Sequence, residues 1–102
     1  MSIAETVLKQ AKLCTRIMVD CSHGNCQKDF RKQPQALSSV ACQIRAGNSS
    51  LAGVMIESNL VAGKQSFPIP RRQLVYGQSI TDPCVDFSTT ITMLRELAEA
   101  TM

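Results

Sequence analysis

Three side chains that can bind metal ions or transfer protons occur at comparable positions along this chain. His23, Glu57 and Asp82 each follow a short stretch of residues with the character of a β-strand. In parallel α/β folds the carboxyl ends of the strands meet at one rim, and active sites are built there. One imidazole and two carboxylates at such a rim can hold a divalent ion such as Mn, Fe, Co or Zn. The pattern therefore predicts a metal or catalytic site.

Each of these residues, taken alone, also has an ordinary structural interpretation. A histidine after a strand is often a hydrogen-bonded turn residue. Glu57 closes an apolar stretch, and such a residue is often a solvated strand end. Asp82 precedes Pro83, and aspartate before proline often begins a turn. The prediction of a site therefore depends on all three residues falling at the same kind of place.

The segments that carry these residues predict an α/β fold. Two apolar stretches of strand length, 16–21 and 51–56, end just before His23 and Glu57. Both are apolar throughout rather than alternating, which is typical of parallel strands covered by helices. Between them, Pro34 and apolar residues at helical spacing predict a crossover helix. The three segments together predict a β-α-β unit.

The remaining segments predict two helices and one further strand. A helix is expected over 2–13, and a long connection over 58–78 leads to a short strand over 78–81 that ends at Asp82. The last helix is expected over 88–100. Its predicted apolar stripe comprises Ile91, Leu94, Leu97 and Ala98.

Composition excludes several classes of protein. The chain has 102 residues, enough for one small domain, and is 44% hydrophobic and 19% charged. Its net charge of +3 is too small to indicate nucleic-acid binding. No stretch approaches the roughly 18 apolar residues of a membrane span, and the first residues do not resemble a secretion signal. Five cysteines without a CxxC pair favour reduced thiols in the cytoplasm.

Four segments of the chain resemble the class I 3-deoxy-D-arabino-heptulosonate-7-phosphate (DAHP) synthases, the type sensitive to phenylalanine, tyrosine or tryptophan. Their order and intervals fit the family, and together they cover almost the whole chain. The matching segments are 20–25 with Lys28 (D-x-S-H-[AG]-N and a following lysine), 53–59 (G-V-M-[IV]-E-S-[NH]), 63–66 (G-N-Q-S) and 76–82 (Y-G-x-S-[IV]-T-D).

The resemblance implies a fold and a reaction. Residues 1–102 are expected to be the C-terminal part of a single DAHP synthase domain, contributing the last three βα units of a TIM (β/α)8 barrel. A full barrel needs about 250 residues, so the chain is expected to be incomplete and inactive alone. The family condenses phosphoenolpyruvate with erythrose 4-phosphate, the first step of the shikimate pathway to aromatic amino acids. Its full-length members are cytoplasmic homo-oligomers.

The resemblance also assigns roles to the three side chains. His23, Glu57 and Asp82 correspond to metal ligands, and His23 is also expected to be catalytic and to lie beside phosphoenolpyruvate. Asp82 is expected to contact substrate as well. The family's fourth ligand is a cysteine on an early strand, to which no cysteine here corresponds. The residues that grip the substrate phosphates also lie on earlier strands.

Some features depart from the family pattern or leave an alternative open. Pro83 stands where the family has a small residue with a free N–H, and Phe87 stands where tryptophan is usual. Five basic side chains could meet phosphates, but they are interpreted as solvated surface because the family's phosphate-binding residues lie elsewhere: Lys28, Arg31, Lys32, Arg71 and Arg72. Two hypotheses stay open: the chain is part of a catalytic synthase, or it is a non-catalytic truncated chain that docks on a full-length synthase.

Overall fold

The computed structural model describes residues 2–24 and 29–102, which form a mixed α/β fold. Asn25 and Lys28, which belong to the resemblance described above, lie outside the described residues. Two short 3-10 turns, Phe30–Lys32 and Arg71–Gln73, accompany the regular elements. The helices and strands are α1 (Ser2–Gln10), β1 (Ile17–Asp20), α2 (Gln33–Arg45), β2 (Leu51–Met55) and α3 (Phe87–Ala100).

The predicted β-α-β unit is present. Strands β1 and β2 pair in parallel, with Val19 opposite Val54 and Asp20 opposite Met55. Helix α2 makes the crossover between them. The pairing continues one step beyond β1, because the Cys21 N–H donates to the Met55 carbonyl over 2.9 Å. The carboxyl ends of both strands therefore lie side by side, as a rim site requires.

Local signals set both ends of α2. The Asp29 side chain accepts a hydrogen bond from the Arg31 N–H at the preceding 3-10 turn, and Pro34 occupies the first turn of the helix. Proline is tolerated there because the first helical N–H groups have no partner within the helix. The helix ends before Gly47, which has a left-handed φ of 97°. Glycine adopts that conformation without the steric cost that a β-carbon brings.

The core lies between the sheet and the helices α2 and α3. One buried group consists of Cys21, Leu37, Val85 and Met93, and a second consists of Val19, Val40 and Leu51. The predicted stripe of α3 is wrong in register. Leu94 and Ala98 are exposed, while Met93 and Ala100 are buried and Leu97 packs beside both groups. Two apolar stripes one residue apart fit the helical period, and packing selects the one that contains Met93.

The strand predicted over 78–81 does not form in the described part of the chain. Within 78–81, Ser79 makes an isolated bridge with Lys64, and Cys84 and Val85 make further bridges with Gly63 and Ser58. Ser79 Oγ accepts a hydrogen bond from the Thr81 N–H, and such local side-chain bonds compete with strand pairing. Pro83 has no N–H to contribute to a ladder. Asp82 consequently does not follow a strand; it precedes Cys84 and Val85, which bridge to Gly63 and Ser58.

The connecting segment, defined here as residues 57–86, is irregular but well bonded internally. Gln65 fixes its middle. The side-chain amide donates to the Val75 carbonyl (2.9 Å) and the Gln78 carbonyl (2.8 Å), and its oxygen accepts from the Val75 N–H (2.8 Å). Gly77 has a φ of 80°, and a β-carbon added there would lie 2.7 Å from the Leu60 β-carbon. Glycine is therefore required at this close approach.

Helix α1 is shorter than predicted and carries exposed apolar side chains. It ends at Gln10 rather than Leu13. After it, Lys12 adopts a left-handed φ of 58°, and the Leu13 N–H donates to the Leu8 carbonyl. Ile3 and Val7, one turn apart, are 79% and 57% exposed. Within the described residues, each helix is too short or too polar to cross a bilayer.

Candidate metal centre

The turn that follows β1 fixes the orientation of the His23 ring. Asp20, the last residue of the strand, lies with its Oδ2 atom 2.7 Å from His23 Nδ1. The other carboxylate oxygen, Oδ1, accepts from the Ser22 N–H over 2.8 Å and from the Ser22 hydroxyl. A carboxylate can only accept here, so the Nδ1–H donates to Asp20, and the other ring nitrogen, Nε2, points away from Asp20. A carboxylate that orients histidine in this way is common beside metal ligands.

The second ring nitrogen of His23, Nε2, faces two carboxylates. Nε2 lies 3.1 Å from Glu57 Oε1 and 3.2 Å from Asp82 Oδ2, and one ligand atom from each residue lies within 4.8 Å of the others. Two atoms that each lie about 2.1 Å from a shared ion, at angles of about 90–110°, are about 3.0–3.4 Å apart. The two separations measured from His23 Nε2 therefore fit a divalent ion that His23 would share with each carboxylate.

Glu57 is positioned through its backbone. Its N–H donates to Gln33 Oε1, and its carbonyl accepts from Gln33 Nε2, each over 3.2 Å. The Val85 N–H also donates to that carbonyl over 3.0 Å. The Gln33 side chain is fully buried at the first residue of α2. The side-chain amide of Gln33 thus substitutes for a neighbouring strand where β2 ends, and it fixes Glu57 relative to α2.

Asp82 is held more loosely than the other two residues. Its side chain is 62% exposed, against 39% for His23 and 20% for Glu57. The Cys84 thiol donates to the Asp82 carbonyl over 3.5 Å, and Pro83 lines the space next to the carboxylate. Of the three carboxylates around His23, Asp82 is therefore the one most accessible to a bound molecule.

The charges around His23 favour a cation at this point. Hydrogen bonds to Asp20 and then to Asp82 raise the pKa of His23. Burial raises the pKa of Glu57, with partial opposition from the His23 charge. Burial alone would raise the pKa of Asp20, but hydrogen bonds from Ser22 and His23 prevail and lower it to about 2. A positive charge among these carboxylates, whether a proton or a metal ion, is stabilised by all of them.

The three side chains open into a cleft of about 270 Å³. Its other lining residues are Ser22, Lys64 and Pro83. Among the described residues that line this cleft, Lys64 is the sole lysine or arginine. Of the basic residues interpreted as solvated surface, Arg31, Lys32, Arg71 and Arg72 are exposed, and Arg31 pairs with Asp29 over 3.1 Å. The fifth, Lys28, lies outside the described residues.

The structure brings together the three side chains that the sequence predicted to meet. Sequence reasoning missed three supporting residues: Asp20, Gln33 and Lys64. Asp20 had a signal, since it lies three residues before His23 in the D-x-S-H segment, a spacing that allows contact across a turn. Gln33 had none, because a glutamine at the start of a helix is usually solvated. Lys64 lies in the predicted long connection, and the pattern of residues there does not specify how that connection folds.

Comparison with known proteins identifies the relatives of this chain. A family model described as the DAHP synthetase I family matches residues 1–95. The chain is 48% identical over 93 residues to the Tyr-sensitive phospho-2-dehydro-3-deoxyheptonate aldolase of Escherichia coli, covering 91% of this chain and 26% of that protein. It is 50% identical over 99 residues to the tyrosine-inhibited aldolase of Candida albicans, with coverages of 94% and 27%.

A solved structure is similar over nearly the whole chain. The phospho-2-dehydro-3-deoxyheptonate aldolase of Francisella tularensis superposes with a TM-score of 0.89 at 50% sequence identity. The superposition covers 98% of this chain and 28% of the other. The chain therefore spans about a quarter of the length of the relatives that it matches.

Proposed function

Since the chain belongs to the DAHP synthetase I family, we propose that it acts as the C-terminal part of a metal-dependent DAHP synthase. The reaction is the condensation of phosphoenolpyruvate with erythrose 4-phosphate, with release of inorganic phosphate. The observation that carries the proposal is the convergence of His23, Glu57 and Asp82 on one point. Their donor set, one imidazole nitrogen and two carboxylate oxygens, suits a divalent transition metal such as Mn, Fe, Co or Zn.

The side chains of this segment would hold the ion and orient its ligands. A divalent ion in this position supplies Lewis-acid polarisation of the aldehyde oxygen of erythrose 4-phosphate. His23 binds through Nε2 while Asp20 retains the proton on Nδ1. Glu57 binds from the fixed end of β2, and the exposed Asp82 is free to contact substrate as well. His23, at the centre of the cleft, lies beside the position of phosphoenolpyruvate.

The remaining parts of the site belong to other strands. We propose that the two strands and three helices described here belong to the last three βα units of a (β/α)8 barrel. The rest of the barrel would supply the fourth, cysteine ligand and the residues that grip the substrate phosphates. The complete protein is proposed to be a cytoplasmic homo-oligomer.

Metal binding tests the proposed site directly. Calorimetric titration of the purified chain with Mn²⁺ should show one site, and the variant Glu57→Gln should bind at least about 100-fold more weakly. Glu5→Gln on α1 is a matched control, because Glu5 lies outside the cleft. Unchanged Mn²⁺ affinity in Glu57→Gln would contradict the assignment of this residue as a ligand.

A second function, docking on a full-length synthase without catalysis, is favoured by the apolar surface. Ile3 and Val7 of α1, together with Leu13 and Met18, are more than half exposed. Such side chains often mark an interface with another chain. Light scattering of the chain mixed with a full-length relative tests this function. A stoichiometric complex without gain of activity would support docking, and two independent species would exclude it.

A further inference from the structure

Lys64 lines the cleft from a well-defined backbone position. On one side of it, Gly63 and Cys84 exchange two backbone hydrogen bonds of 2.8 and 3.2 Å. On the other side, the Gln65 N–H donates to the Ser79 carbonyl over 2.8 Å. These bonds fix Lys64 relative to the chain on either side of Asp82. In the described part of the chain Lys64 forms no ion pair, so its charge is available to a ligand.

The negative charge around the cleft is cancelled when a divalent ion is present. Asp20, Glu57 and Asp82 contribute three negative charges and Lys64 contributes one positive charge, so the sum is −2 with neutral His23. A divalent ion brings the sum to 0. An anion is therefore repelled by the cleft without metal, whereas with metal that net repulsion is removed and the ion and Lys64 attract the anion locally. Lysine is a common partner for phosphate, which it binds as a point charge.

We propose that Lys64 forms an anion-binding subsite beside the three metal ligands and holds a phosphate or carboxylate group of the substrate. This proposal depends on the proposed function, because the metal ion provides the charge that makes the cleft attractive to anions. Lys64 stands where the G-N-Q-S segment of the family has asparagine. The subsite would therefore be a property of this chain that adds one positive charge to the site.

Titration of inorganic phosphate into the Mn²⁺-loaded chain tests the subsite. Lys64→Met should bind phosphate at least about tenfold more weakly, while its Mn²⁺ affinity stays within about threefold of the original. Lys64→Arg, which retains the charge, should bind phosphate nearly as well as the original chain. Lys9→Met on α1 is the matched control and should change neither affinity. Without Mn²⁺, the original chain should show no phosphate binding.

A second measurement uses the unaltered chain and is independent of how the variants fold. Acetylation of lysine amines, followed by mass spectrometry, should show Lys64 protected by phosphate in the presence of Mn²⁺, with Lys9 equally reactive in both conditions. Equal phosphate affinity in Lys64→Met, or no protection of Lys64, would overturn the subsite. Failure of the original chain to bind Mn²⁺ would instead contradict the proposed function.

Discussion

The two regions that build the candidate metal centre are stabilised in different ways. The β-α-β region consists of the regular elements β1, α2 and β2, and its buried residues form most of the core. The connecting segment, residues 57–86, forms no strand or α-helix in the described chain and is fixed by side-chain amides and a few isolated bridges. The first region orients His23, and the second carries Glu57, Lys64 and Asp82. The site is therefore assembled where a packed region meets a hydrogen-bonded one.

This difference shows how the protein positions side chains of the candidate metal centre in a segment that has no regular secondary structure. Gln33 binds the backbone of Glu57, and Gln65 binds the backbone at Val75 and Gln78. An amide side chain has both a donor and an acceptor, so it can take the place of a paired strand. The two regions should consequently respond differently to mutation: the first through lost packing, the second through lost hydrogen bonds.

The largest effect is expected from the packed region. Leu37→Ala removes a fully buried side chain from the group that contains Cys21 and Met93, and it should lower the free energy of unfolding by about 2–5 kcal/mol. Urea unfolding followed by circular dichroism measures this change. A loss below about 1 kcal/mol would show that the packing between sheet and helices contributes little. Leu94→Ala, at an exposed position of α3, is the control.

Gln33→Met tests the hydrogen bonds that join the two regions. The change leaves the N–H of Glu57 without its side-chain partner, and it should cost about 1–3 kcal/mol of unfolding free energy. Because Glu57 loses its fixed position, Mn²⁺ affinity should fall about tenfold. Gln35→Met, an exposed position of the same helix, should leave both quantities unchanged. Loss of stability without loss of Mn²⁺ affinity would show that Gln33 does not position the ligand.

Asp20→Asn tests the orientation of His23 and its response to pH. Metal binding requires neutral His23, and the hydrogen bond to Asp20 raises the pKa of that histidine. Mn²⁺ affinity of the original chain should therefore fall as the pH drops through this raised pKa. In Asp20→Asn the pKa should be lower, so the fall should occur at lower pH. The affinity at high pH should be about 10–100-fold weaker.

The control for this comparison is Asp86→Asn, which retains an N-cap oxygen for the Thr89 N–H at the start of α3. It should leave both the Mn²⁺ affinity and its dependence on pH unchanged. A pH profile of Asp20→Asn that coincides with that of the original chain would contradict a role for Asp20 in orienting His23.

The smallest effect is expected within the connecting segment. Gly77→Ala places a β-carbon 2.7 Å from that of Leu60 at a left-handed φ, which should cost about 1–2 kcal/mol of unfolding free energy. Gly53→Ala is the matched control, because nothing lies within 4 Å of the added carbon and φ is not left-handed. Thermal unfolding of both variants measures the difference, and equal midpoints would show that this turn adapts without strain.

Sequence pattern predicted the packed region better than the connecting segment. The pattern of apolar residues specified β1, α2 and β2 because burial in regular elements imposes a period on the sequence. The strand predicted over 78–81 does not form, because the Ser79 hydroxyl bonds locally to the Thr81 N–H and Pro83 has no N–H for a ladder. Periodicity records neither effect. The register of α3 was wrong because two apolar stripes were compatible with one helix. Packing against α2 distinguishes them, and this information is not local.

The candidate site was predictable in its ligands but not in its supports. The sequence predicted that His23, Glu57 and Asp82 would meet, from their expected positions after strands and from the family resemblance. The structure brings them together, although Asp82 does not follow a strand. Asp20 had a detectable spacing, whereas Gln33 and Lys64 reach the site through contacts over 24 or more positions of the chain or through the irregular segment. Such contacts leave no periodic trace in the sequence.

The paired hydrogen bonds between Gln33 and Glu57 also have a dynamic consequence. They connect the backbone of Glu57 to the first turn of α2, so opening of that turn and release of Glu57 share one equilibrium. An ion that binds only the closed form slows the opening in proportion to its occupancy. The amide hydrogen of Glu57, which donates to Gln33, should therefore exchange with solvent more slowly as metal is added. Its exchange rate would report site occupancy from the backbone alone.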